Sequence, residues 1–124
     1  MSNPIDSRTD IGHVHLKVAD LDRALAFYSG VLGFELTQRM GSSAAFLSAG
    51  GYHHHVGTNV WESRGASPAP DGFATLRSFA VLLPSDDARE RVLERLGAAG
   101  LAAEHGAVRD PSGNLLRLEL DPAS

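Results

Sequence analysis

The stretch Ile11-Gly12-His13-Val14-His15-Leu16-Lys17-Val18-Ala19-Asp20-Leu21 decides the fold. Its first eight residues alternate: Gly12, Val14, Leu16 and Val18 take one face, and Ile11, His13, His15 and Lys17 take the other. That period of two marks a half-buried strand. Asp20 then reads as an N-cap, and Leu21, Ala24, Leu25, Tyr28, Val31 and Leu32 follow at helical spacing. Gly33 closes the helix in the position glycine favours. Residues 34–40, 44–49 and 52–61 read as three further strands, with turns at Gly41-Ser42-Ser43 and Gly50-Gly51.

The pattern then restarts. Residues 76–83 read as a strand, Ser85 as an N-cap, and 86–99 as a helix with Ala88, Val92, Leu93 and Leu96 inward and Gly100 at its end. Extended segments at 101–105, around Val108 and at 114–120 complete the second set. An offset of 65 lays His13 on Ser78 and Asp20 on Ser85. The expectation is an α+β fold of two tandem βαβββ modules, about 11–61 and 76–120, joined by a linker at 62–75. The chain, 1–124, counts as one domain, because both modules are needed for one core.

Two such modules form a curved mixed sheet around a trough, with the helices on the outer face. Alternation assigns His13, His15 and Lys17 to the trough from the first strand, and Ser78 and Ala80 from the strand at 76–83. Arg77, Phe79, Val81 and Leu83 take the core face there. Arg117 and Glu119 face the trough from the last strand, with Leu116, Leu118 and Leu120 on the core side. In 52–61 the more polar face carries His53, His55, Gly57, Asn59 and Trp61.

Composition narrows the chemistry. A net charge of -4 argues against a nucleic-acid footprint, which needs clustered basic residues. The absence of cysteine excludes disulfides, thiolate metal sites and a cysteine nucleophile. Any metal falls to histidine and carboxylate, which suits iron, manganese, nickel or zinc. No apolar run reaches membrane-spanning length, and residues 1–10 lack a signal-peptide core, so the expectation is a cytoplasmic protein with no nucleic-acid or membrane partner.

The run Gly12–Leu21, then Ala26-Phe27-Tyr28, Val31-Leu32-Gly33-Phe34 and Asp110-Pro111-Ser112-Gly113-Asn114, resembles the vicinal oxygen chelate superfamily. That group holds glyoxalase I, extradiol catechol dioxygenases, fosfomycin-modifying enzymes and bleomycin-binding proteins. Residues 44–61, with Leu47-Ser48-Ala49-Gly50-Gly51-Tyr52-His53-His54-His55, look most like the catechol-2,3-dioxygenase-like branch. The resemblance implies a fold more firmly than a reaction, since one scaffold hosts several chemistries.

The family's dioxygenases hold iron with two histidines and one carboxylate. The resemblance places the first histidine at His13, the second at Ser78, the carboxylate at Arg117 and a catalytic tyrosine at Ala107. A serine is a poor ligand and an arginine repels a cation, so the family's triad reads as degenerate. The expectation is therefore no metal; if one binds, the candidate ligands are His13, His55 and Glu119. The family pattern puts an acid–base histidine at His54, whereas alternation turns His53 and His55 into the trough. Both readings stay open.

Three functions follow. The first is acid–base chemistry without a metal on a small aromatic or polyketide-like molecule: cyclisation, isomerisation, dehydration or lyase chemistry. Its candidate catalytic residues are His54, His55 and His13, and its candidate substrate contacts are Ser78, Arg117, Trp61, Asn59 and Glu119. The second is a metal-dependent dioxygenase or glyoxalase-like lyase with a relocated site. The third is a non-catalytic binder of a drug or metabolite, as in bleomycin resistance. A homodimer is what the resemblance implies for assembly.

Overall fold

The computed structural model describes residues 4–68 and 75–122. Strand β1 (Val14–Lys17) runs into helix α1 (Leu21–Leu25), whose N-cap Asp20 accepts from the backbone N–H of Arg23 at 3.0 Å. The helix widens into a π-helical turn at Ala26–Val31. The wider turn sends the consecutive residues Phe27 and Tyr28 both into the core, with their rings edge-on at 5.0 Å. Strands β2 (Glu35–Met40), β3 (Ala44–Ser48) and β4 (Val56–Asn59) complete the first module. The second comprises β5 (Phe79–Leu83), α2 (Asp86–Ala98), β6 (Ala107–Arg109) and β7 (Leu115–Leu120).

The repeated order is thus present, with four corrections to the reading above. The curved sheet is two sheets, ordered β1-β4-β3-β2 and β5-β7-β6. The segment 101–105 contributes only an isolated bridge, Glu104 to Ala107, because Gly106 and the left-handed His105 turn the chain at once. The strand expected at 76–83 begins at Phe79, and Arg77 is exposed rather than on the core face. The strand expected at 52–61 is only Val56–Asn59; Tyr52 to His55 form a bend. The expected linker at 62–75 lies partly outside the described residues.

One core joins the modules. Leu16, Val18, Leu21, Phe27, Tyr28, Leu47 and Val56 from the first meet Leu96, Val108, Leu116 and Leu118 from the second, all buried. The Asp110–Asn114 turn locks this junction with polar contacts. Buried Asp110 accepts from Tyr28 Oη at 2.7 Å and from the backbone N–H groups of Ser112 and Asn114 at 2.8 and 2.9 Å. Asn114 Nδ2 donates to the carbonyl of Lys17 at 3.1 Å, and Ser112 Oγ accepts from Ala19 N–H at 2.9 Å. The end of β1 is thereby fixed against the second module. No helix among the described residues is long and apolar enough to cross a membrane.

Candidate functional site

The site grows from the alternation of β1. Leu16 and Val18 are buried in the core, so His15 and Lys17 must emerge on the opposite, open face of the first sheet. His13 sits one residue before the strand and joins them, its ring 4.8 Å from that of His15. Across the ladder His15 pairs with Gly57, and Gly57 pairs with Phe46. A Cβ at position 57 would fall 3.1 Å from Cδ2 and Nε2 of the His15 ring, so the imidazole would have to give way by a few tenths of an ångström. Glycine therefore gives the imidazole its place.

The bend before β4 supplies the third imidazole. His54 folds back over the sheet, its ring 4.3 Å from His13, 5.7 Å from His15 and 5.0 Å from Phe46. His53 lies behind it, with the two Nδ1 atoms 3.0 Å apart. Each ring can hold only one proton while neutral, so one Nδ1 donates and the other accepts. The Nε2 of His54 is buried and finds no hydrogen-bond partner among the described residues. Burial pushes His54 below the ordinary histidine range, and the surrounding imidazoles of His13, His53, His15 and His55 push the same way.

One nitrogen from each of His13, His15 and His54 lies within 4.8 Å of the other two. Three neutral imidazoles, one with an unpartnered buried nitrogen, are suited to a first-row divalent ion. Bonds of about 2.0–2.1 Å would set neighbouring ligand nitrogens roughly 3.4 Å apart in a tetrahedron. Closing the difference takes side-chain rotation, and two of the three residues, His13 and His15, are exposed. The donor set fits a metal.

The remaining sequence candidates fall elsewhere. His55 is turned aside: its Nδ1 accepts from the Ala49 N–H at 3.2 Å and lies 3.4 Å from Ser48 Oγ. Glu119 accepts from Arg117 at 2.6 Å on β7, in the second sheet. The converging group thus contains His13 but neither His55 nor Glu119, and the ligand set His13, His55 and Glu119 is not the one that assembles among the described residues. Asn59 lies beside Lys17 in the β1–β4 ladder, further along the same face. Trp61 is 62% exposed in the turn after β4, and Ser78 is half-buried ahead of β5. His15 is the site residue without a sequence-assigned role, although its shared face with His13 was the available signal.

A cleft of about 590 Å³ opens next to this cluster, between the edge strands β1 and β5. His13 and His55 stand in its lining, with Val14, Val56, Val81 and Val92 among its apolar walls.

Comparison with known proteins agrees with this architecture. The sequence model of the Glyoxalase/Bleomycin resistance protein/Dioxygenase superfamily matches residues 10–123. A catechol-2,3-dioxygenase from Bacillus subtilis (strain 168) is 44% identical over 108 residues, 83% of this chain and 38% of that protein. The chain therefore spans under two-fifths of the length of that relative. Among solved structures, a lactoylglutathione lyase from Agrobacterium tumefaciens superposes with a TM-score of 0.68 at 20% identity, covering 91% of this chain and 94% of that one. A glyoxalase/bleomycin resistance protein/dioxygenase domain from Frankia sp. EAN1pec gives 0.69 at 22% identity, covering 92% and 98%. These structural likenesses establish the fold.

Proposed function

The chain belongs to the glyoxalase/bleomycin resistance protein/dioxygenase superfamily, and from that premise we propose that it acts on a small molecule bearing vicinal oxygens, at a metal held by His13, His15 and His54. The observation that carries this reading is the convergence of one ring nitrogen from each of His13, His15 and His54, in a group where the buried Nε2 of His54 finds no partner among the described residues. The substrate class comes from the named activity of the Bacillus relative: a catechol-type aromatic diol.

A divalent ion held there would supply positive charge to bind and polarise the two oxygens of the diol. The protein's own part is to present the charge uncompensated. All three ligands are neutral, and the acidic side chain of Glu119 is engaged by Arg117 in the other sheet. Anionic oxygens are therefore the complementary partners. His53, 3.0 Å from the Nδ1 of His54, orients that ring so that Nε2 faces inward. Phe46 gives the site an aromatic wall beside His54 and His15.

The test is elemental analysis of protein purified without chelator, together with turnover of catechol. About one equivalent of iron, manganese, nickel or zinc is expected, falling at least tenfold in His15→Ala and His54→Ala. His55→Ala and Glu119→Gln are expected to keep it. Retention of metal by His15→Ala would overturn the assignment.

A second reading, acid–base chemistry without metal, rests on the same His53–His54 contact, which could pass a proton between the two rings. Turnover by protein free of metal, lost in His53→Ala, would favour it. A homodimer accompanies either reading. Its support is the large apolar side chain Leu82, 52% exposed on the edge strand β5, and sedimentation at several concentrations tests it.

A further inference from the structure

We infer that the cleft between β1 and β5 is a subsite for an apolar tail, so that the preferred substrate is a diol carrying an alkyl or aryl substituent and not a bare ring. The inference rests on the reading just given and names the substrate class of that site.

The cleft exists because two sheet edges are left unjoined. Among the described residues β1 ladders only with β4, and β5 only with β7. The gap between them holds about 590 Å³, within the range of small-molecule sites and several times the volume of a packing defect. Its walls are mostly apolar, with Val14 and Val56 from the first sheet, Val81 from β5 and Val92 from α2, while Asp10, His13 and His55 supply the ionisable side chains of its lining. The valine and leucine walls offer an oxygen nothing to bond, so an apolar body suits that part of the cleft.

Its polar end is equally defined. His13 lines the cleft and also stacks 4.3 Å from His54 in the three-histidine site. Gly12 also lines the cleft, and the hydroxyl of Tyr52 lies 2.7 Å from where a Cβ on that residue would stand. A molecule whose oxygens meet the histidines therefore has one apolar space next to it, reached past His13. The nitrogen of His55 that faces Ala49 is already bonded, so that histidine shapes the rim and leaves His13 as the link.

The experiment uses catechol and its 4-ethyl, 4-butyl and 4-hexyl derivatives as probes, titrated by calorimetry against metal-loaded and metal-stripped protein. Affinity is expected to rise about fourfold per methylene, the effect of burying each CH₂ in an apolar site. Nuclear Overhauser contacts should run from the alkyl chain to the methyls of Val14, Val81 and Val92. In Val81→Trp, and independently in Val92→Phe, the chain-length dependence should flatten, with thermal unfolding confirming that each variant is folded. No rise with chain length in the wild type, or contacts to methyls outside the cleft, overturns the subsite. The metal reading fails separately: a rise with equal absolute affinities in loaded and stripped protein keeps the subsite and removes the metal.

Discussion

The hydroxyl of Tyr28 donates to Oδ2 of Asp110 at 2.7 Å, tying the first helix to a turn 82 residues away. Both groups are buried. Burial and the neighbouring carboxylate push the phenol far above its ordinary range, so it stays a donor at every accessible pH. Removing that donor leaves a buried carboxylate with one partner fewer. Tyr28→Phe should therefore cost about 2 kcal/mol, the scale of a hydrogen bond to a charged group. Urea unfolding of the variant checks this, and a change under 0.5 kcal/mol would show that the lock is not energetically coupled.

Gly57→Val separates folding from function. Valine suits a strand, but its side chain would enter the space of the His15 ring, which already lies 3.1 Å from the Cβ position. The expected variant binds metal at least tenfold more weakly, with a loss of stability of no more than about 1–2 kcal/mol. Metal competition and thermal unfolding, measured together, decide it.

Gly33→Ala should be costly for a backbone reason. Gly33 has φ +93°, and the guanidinium of Arg95 occupies the place of a Cβ while it donates to the carbonyl of Leu32. Strain at positive φ and displacement of Arg95 together predict a loss of roughly 1–3 kcal/mol. Arg95→Ala alone should cost less, since Leu32 then loses only one contact of 3.3 Å.

His54 gives a pH dependence in metal-free protein. Its folded pKa lies below the ordinary value because of burial and the adjacent imidazoles, while in the unfolded chain it titrates near 6.5. Below that pH the unfolded state takes up the proton first. The contribution of neutral His54 to stability is therefore complete above about 6.5 and declines as pH falls towards the folded value. Its imidazole resonances should titrate below the ordinary histidine range, and His54→Gln should remove part of the acid destabilisation.

Arg117→Ala should be nearly silent for stability. Its partner Glu119 is 2.6 Å away, yet both side chains are about half exposed. Exposed pairs contribute about 0–1 kcal/mol. Metal content should not change either, because neither residue belongs to the three-histidine group.

Much of the fold was legible because local chemistry and tertiary demand agree. Asp20 and Ser85 cap the helices that their positions announced. The alternation of β1 correctly put Leu16 and Val18 inside and His15 and Lys17 outside. Failures occurred where a segment obeyed a neighbour instead of its own pattern. Residues 101–105 look extended but turn at His105 and Gly106, and Arg77 precedes a strand that starts at Phe79.

The histidines mark the same boundary. Alternation by itself determined that His13 and His15 share the open face, since a strand with one buried face leaves no other choice. It could not determine which of His53, His54 and His55 joins them, because a bend has no period. Only the tertiary structure decided that. The backbone turn at 52–55 carries His54 over the sheet beside His13 and Phe46, while the bond from Ala49 draws His55 away. Likewise, the sequence placed Arg117 and Glu119 on a common face, but their separation from the histidines follows from the two modules forming two sheets, and hydrogen bonding between strand edges is a contact no single strand encodes.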